Sequence, residues 1–177
     1  MKKLLLIVLS LAMAVSITGC MGTGGSGLEG VETSSAADIS KIKASDYSND
    51  LKGLEEYLIA VDYIPKKCKP TEMMYQVIGA KKGDRYNYTV NNSAVFVELY
   101  EYDPENLNSD AKRVIGEVKE TGKFHILPGD TSDESTTYEA TLSDNGKFLL
   151  IYQGATDNDD LKKRKSDFEK AVKEFHK

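Results

Sequence analysis

Tryptophan is absent from the 177 residues, and histidine and cysteine occur only twice each. Each shortage removes a class of chemistry. His125 and His176 form no His-x-x-x-His pair, and no cysteine cluster has metal-ligand spacing, so the usual zinc centres are excluded. Acidic residues outnumber basic ones by 28 to 23, a formal charge of −5. Such a chain is a poor partner for nucleic acid, whose binding rests on neutralising phosphates. Long apolar runs are missing as well. The one pronounced run, residues 4–15, is too short for a membrane span.

That run is informative through its flanks. Met1-Lys2-Lys3 is a basic start, the apolar stretch follows, and Ile17-Thr18-Gly19-Cys20 closes it, which is the anatomy of a secretory signal. The closing tetrapeptide resembles the lipobox of bacterial lipoproteins: an aliphatic residue, a small residue, Gly, then Cys. The resemblance covers residues 1–20 and is specific within them. It implies removal of residues 1–19, a diacylglyceryl group on the Cys20 sulfur, and display of the remainder on the extracytoplasmic side of the cell membrane. No Asp follows the cysteine. Cleavage would remove Lys2 and Lys3 and take the formal charge from −5 to −7. With Cys20 in a thioether, Cys68 has no intrachain partner, and the exported domain has to be stable without a disulfide.

Residues 20–46 read as a lipidated cysteine and a tether. Gly22, Gly24, Gly25, Gly27 and Gly30 alternate with small polar residues, and such a segment cannot bury enough surface to offset its conformational entropy. Its flexible length corresponds to an end-to-end distance on the order of 25–30 Å. Residues 47–177 are then one domain by size.

Two motif matches fail on context. Gly22-x-Gly24-x-x-Gly27 has the letters of a dinucleotide fingerprint, but that fingerprint works only between a strand and a helix N-terminus. Ser40-x-x-Lys43, Ser143-Asp144-Asn145 and Lys119-Glu120-Thr121-Gly122 imitate the three motifs of penicillin-binding proteins. Ser40 sits at the tether's edge rather than opening a buried helix, Glu120 interrupts the third motif, and the order along the chain is wrong. Residues 143–147 have a simpler reading as a hairpin turn, with Gly146 left-handed.

Apolar spacing predicts an α+β domain in which antiparallel hairpins pack against helices. Leu51, Leu54, Leu58 and Val61 mark a helix stopped by Pro65, and residues 71–78 a shorter helix with Pro70 in its first turn. Residues 86–90 and 93–102 form a hairpin across Asn91-Asn92. Its register sets Tyr88 opposite Val95, Tyr86 opposite Val97 and, on the other face, Arg85 opposite Glu98. Ser109 is positioned to cap a helix carrying Val114, Ile115 and Val118, which Gly122 ends. Residues 123–127 read as a strand ended by Pro128-Gly129. A second hairpin joins 137–142 to 147–153, with Leu142 opposite Phe148, Ala140 opposite Leu150 and Tyr138 opposite Tyr152. Leu149 and Ile151 are apolar too, which makes the later strand central. An amphipathic C-terminal helix carries Leu161, Phe168, Val172 and Phe175.

Candidate functional residues are few. His125 lies between Phe124 and Ile126 in a strand, where a structural or surface role fits best, and His176 is one residue from the terminus. The acidic loops 130–134 and 157–160 have oxygen ligands for a hard cation but lack EF-hand spacing; turn and N-cap duty accounts for the second. Three lysines around Cys68 would favour its thiolate, yet no base or resolving cysteine adjoins it. Ten tyrosines fall mostly on sheet faces, as core rather than as a sugar platform. Basic residues concentrate at Lys66, Lys67, Lys69, Lys81, Lys82 and Arg85, a rim able to meet an anionic wall polymer or lipid.

These features add up to a non-enzymatic binding module of the cell envelope, without metal or cofactor, partnered by an envelope protein or an anionic wall or lipid component. The alternative from another class is a small envelope hydrolase with a carboxylate acid/base pair, which leaves no spacing to find in sequence. A solute-binding lipoprotein of a transporter is a third, weakened by the lack of two lobes that close around a ligand.

Overall fold

Asn91 and Asn92, both at positive φ (49° and 64°), make the tight turn on which the sheet's register rests. In the computed structural model, which describes residues 39, 41–127 and 137–177, the flanking strands are β2 (Lys82–Val90) and β3 (Ser93–Glu101). Tyr88 pairs with Val95, Tyr86 with Val97 and Arg85 with Glu98, the register expected from the alternation of apolar residues. The lipobox, residues 22–38, Ser40, Pro128-Gly129 and the acidic run 130–134 lie outside the described residues.

A five-stranded antiparallel sheet runs in the order β1-β2-β3-β7-β6, where β1 is Thr71–Glu72, β6 Thr141–Leu142 and β7 Phe148–Gly154. A separate pair joins β4 (Lys123–His125) to β5 (Thr137–Glu139). Helices α1 (Leu51–Ala60) and α3 (Asp159–Lys173) cover one face, and α2 (Ser109–Thr121) covers half of the other. The domain is α+β, with β7 central and its residues from Phe148 to Tyr152 buried on both faces.

Two apolar layers follow from strand alternation. Tyr86, Tyr88, Val95, Val97, Leu99, Phe148, Leu150 and Tyr152 meet Leu51, Leu54, Leu58, Leu161, Phe168, Val172 and Phe175. On the other side Tyr100, Leu149 and Ile151 meet Ala111, Val114, Ile115 and Val118. Each large side chain buried in these layers contributes about 1.5–3 kcal/mol. Packing reaches back to Ala44 and Tyr47, at the entrance to the domain.

The helix ends show where local chemistry decided. Asp50 caps α1 by accepting from Gly53 N (2.8 Å). The helix stops not at Pro65 but at Val61, because Asp62 turns left-handed (φ 64°) and the Tyr63 amide folds back to the Leu58 carbonyl (2.9 Å). Asn108, rather than Ser109, caps α2, accepting from Ala111 N at 2.8 Å. Its end at left-handed Gly122 (φ 72°) is as expected. Asn158 caps α3 (2.9 Å to Leu161 N), the turn-and-cap duty expected for residues 157–160.

Three further expectations fail. Residues 71–78 are not one helix: Thr71 and Glu72 pair with Arg85 and Asp84, and only Tyr75–Ile78 coils, as a 3₁₀ turn closed by left-handed Gly79. The strand after Gly122 ends at His125, where Arg113 takes the next carbonyls. The second hairpin is one residue out of the expected register, with Leu142 opposite Leu149 and Thr141 opposite Leu150. Ser143 is the cause. Its amide pairs with the Phe148 carbonyl (2.8 Å), and its buried hydroxyl accepts from Phe148 N (2.8 Å) and Lys147 N (3.2 Å), so the loop holds residues 144–147. Tyr138 then leaves the main sheet and pairs with Phe124.

Candidate interaction surface

α2 covers only part of its sheet face, and the uncovered part follows from the register. Gly83, Tyr100 and Leu149 form one cross-strand row, Arg85, Glu98 and Ile151 the next, and Asn87, Phe96 and Gln153 the third. The first lies under α2 and the 3₁₀ turn. The middle row is a buried polar network: Glu98, 6 % exposed, accepts from Arg85 Nε (2.9 Å) and from the Tyr100 hydroxyl (2.7 Å). Burial and the neighbouring Glu98 charge push the Tyr100 hydroxyl far above its ordinary range. The third row is open. Phe96 is 39 % exposed, Gln153 and the neighbouring Ala94 are exposed, and Asn87 and Thr89 are half-buried. An aromatic ring flanked by polar side chains on backbone-paired strands is a preformed contact surface.

Of the six basic residues of the rim, five are exposed and Arg85 is half-buried. Lys66, Lys67 and Lys69 are exposed around Cys68, whose thiol faces the Asn87 carbonyl. Lys81 and Lys82 stand at the start of β2, roughly 17 Å away at about 3.4 Å per residue. Arg85 is engaged by Glu98. Cys68 is 6 % exposed, and its Sγ donates to Asn87 O at 3.4 Å; the thiol belongs to the core.

His125 has the structural role expected of it. The Glu117 carboxylate accepts from the His125 amide (2.8 Å) and lies 3.3 Å from its Nδ1, while Arg113 donates to the carbonyls of His125 (2.7 Å) and Ile126 (3.2 Å). Burial opposes ionisation of Glu117, but the His125 amide and Arg113 outweigh it and hold the carboxyl below its usual range. This clasp ties β4 to α2. His176 is anchored, with Nε2 2.8 Å from the Tyr47 carbonyl and its ring edge-on to Phe175.

Sequence spacing did not reveal the carboxyl pair Glu55 and Asp84. Glu55 projects from α1 toward β2, close enough to Asp84 and the Tyr86 hydroxyl for both to act on its carboxyl. Its Oε1 is buried without a hydrogen-bond partner among the described residues. Burial and the Asp84 charge push the Glu55 carboxyl up to about 8, so near neutrality it is protonated and can donate to Asp84. A carboxyl held protonated beside another is a different arrangement from the glycosidase pair, which stands about 5–10 Å apart across a substrate cleft. Neither of two clefts lined by described residues contains Glu55 or Asp84. One, about 500 Å³, lies between α1 and α3 and is lined by Tyr57, Tyr63, Asp167, Lys170 and Glu174. The other, about 310 Å³, lies between β5 and β7. Among the described residues no group of three or more His, Cys, Asp or Glu side chains can hold a metal ion, and no helix is long and apolar enough to cross a membrane.

Comparison with known proteins adds no family: no family model matches the chain, and no curated protein or solved structure is detectably similar to it.

Proposed function

We propose that this protein is a non-enzymatic binding module of the cell envelope, anchored through a diacylglyceryl group on Cys20 and displayed outside the cytoplasmic membrane on the tether of residues 20–46. The observation that carries the binding role is the open row Asn87–Phe96–Gln153, an aromatic-centred strip on an otherwise covered sheet. The anchor rests on Ile17-Thr18-Gly19-Cys20. The partner is an envelope protein or an anionic wall or lipid component, with Lys66, Lys67 and Lys69 near the Asn87 end of the strip.

A photo-crosslinking residue at position 96 of the full-length lipoprotein should capture an envelope component, whereas the same residue at Lys119 on α2 should not. Equal capture from both positions overturns the assignment of the surface. Cys20→Ala should abolish both membrane partitioning and the lipid mass increment; a mutant that still fractionates with membranes removes the anchor.

The protonated Glu55 beside Asp84 is the one observation for a second reading, an envelope hydrolase, and the absence of both residues from the two described clefts weighs against it. That reading requires turnover of wall glycan that Glu55→Gln abolishes. Turnover by the wild type, lost in the variant, would replace the binding module with the enzyme.

A further inference from the structure

The cleft between β5 and β7 lies along a sheet edge that no strand among the described residues pairs with. Residues 137–142 begin against β4 and end against β7, and the chain crosses over at Ala140, whose amide bonds the Gly122 carbonyl at 2.9 Å. Past Leu150, β7 continues through Gly154 with β3 on one side and, among the described residues, no paired strand on the other. Two hydrogen bonds orient its backbone groups. Ser143 N to Phe148 O (2.8 Å) points Phe148 toward β6, and Tyr102 N to Lys147 O (2.8 Å) points Lys147 toward β3. Alternation along the strand then turns Ile151 and Gln153 toward β3. Tyr152 and Gly154 face the β6 side, where no described residue pairs with them.

We propose that the Tyr152–Gly154 edge accepts an added strand from a partner polypeptide that carries Lys or Arg at the end lying beyond Gly154. This names the partner class within the binding-module reading and rests on it. Backbone N–H and C=O groups beside a cleft require partners, and an extended segment supplies both at once. Room exists because β5 has peeled away, leaving a cavity of about 310 Å³ lined by Tyr138, Glu139, Ile151, Tyr152 and Gln153. One row of the incoming side chains would lie against Ile151, Gln153 and Tyr138, continuing the surface of Phe96, which pairs with Gln153. Tyr152 is 6 % exposed, and its hydroxyl is buried without a hydrogen-bond partner among the described residues. The charge preference comes from Asp157, Asp159 and Asp160, all exposed just past β7, of which Asp159 alone is shown paired, to Lys162. At the opposite edge of the sheet, β1 and the Cys68 thiol engage β2.

The test is residue-resolved hydrogen exchange on the full-length lipoprotein in detergent micelles. The probe is a synthetic peptide of alternating Thr and Val ending in two lysines. In the free protein the amides of Tyr152 and Gly154 should exchange faster than those of Ile151 and Gln153. The peptide should slow the first pair by about tenfold. A version N-methylated on alternate residues, unable to complete the ladder, should give no protection, and one ending in two glutamates should bind several-fold more weakly. Three results each overturn the proposal: amides of Tyr152 and Gly154 already protected in the free protein, no protection at saturating peptide, or equal binding of the N-methylated peptide. Capture from position 96 without protection here removes the edge and leaves the binding module standing. Glycan turnover lost in Glu55→Gln removes the module itself.

Discussion

Glu101, 3 % exposed in β3, accepts a hydrogen bond of 2.9 Å from the backbone N–H of Leu51, the first residue of α1. The same carboxyl lies 3.7 Å from the Lys147 ammonium. A buried carboxylate thus meets an orphan donor at a helix start, where negative charge is favoured, and fastens α1 to the sheet from fifty positions away.

Glu101→Ala should therefore destabilise the domain by roughly 2–4 kcal/mol, since it strands the Leu51 amide and removes the Lys147 counter-charge. Glu101→Gln keeps an acceptor for the amide and should lose less than half as much. Urea denaturation of both variants provides the comparison. Equal losses would show that the hydrogen bond to Leu51 is not what matters.

Much of this architecture was legible because it is local. Asn91-Asn92 allows a two-residue turn, and only one register then places Tyr86, Tyr88, Val95 and Val97 on a single face. The second hairpin failed for a reason alternation cannot carry: the Ser143 hydroxyl accepts from two amides and lengthens the loop by a residue. Thr71 and Glu72 have helical neighbours in sequence but an open strand edge in space, and tertiary pairing won. Lysine proximity to Cys68 in sequence likewise said nothing of which way the thiol would turn. The open strip was half visible, since Val95 and Val97 facing inward send Phe96 outward. What leaves it uncovered is the limited reach of α2, a tertiary fact. The Glu55–Asp84 pair joins a helix to a strand 29 positions on, and no spacing rule covers it.

That pair makes stability depend on pH. The Glu55 carboxyl is raised from 4.5 to about 8 by burial first and by Asp84 second, with Tyr86 and Lys82 opposing. The folded state therefore holds a proton that the unfolded state releases near 4.5. This contribution is complete below the unfolded value and is lost progressively as pH rises toward about 8, beyond which it is flat. Stability of the wild type should fall between pH 5 and 8 relative to Glu55→Gln, which has no proton to lose. Parallel curves for the two proteins over that window would refute the proton held on Glu55.

Two glycines should respond in opposite directions. Gly79 is left-handed (φ 71°), and a Cβ there would sit 2.3 Å from Asn108 Oδ1 and 2.4 Å from Ala111 N, the acceptor and donor of the α2 cap. Gly79→Ala should cost roughly 2–3 kcal/mol, from backbone strain of about 1–2 plus loss of the cap at about 1. A Cβ at Gly116, inside α2, meets nothing within 4 Å, so Gly116→Ala should gain roughly 0.5–1 kcal/mol. Thermal unfolding should separate the pair clearly. A neutral Gly79→Ala would mean that the 3₁₀ turn yields without disturbing the cap.

The last expectation concerns Cys68. Its sequence neighbours Lys66, Lys67 and Lys69 would make an exposed thiol reactive, whereas the structure places the sulfur 6 % exposed and hydrogen-bonded to Asn87 O. Access then requires local or global opening, so alkylation should be slowed by about a hundredfold or more relative to the denatured chain. Denaturation without reductant should expose one fully reactive thiol, because no disulfide forms within the monomer. Intact mass after timed labelling reads both quantities. Rapid stoichiometric labelling in native buffer would place the thiol at the surface and give the lysines around it a chemical role. Resistance to labelling even after denaturation would instead reveal a covalent partner on the sulfur.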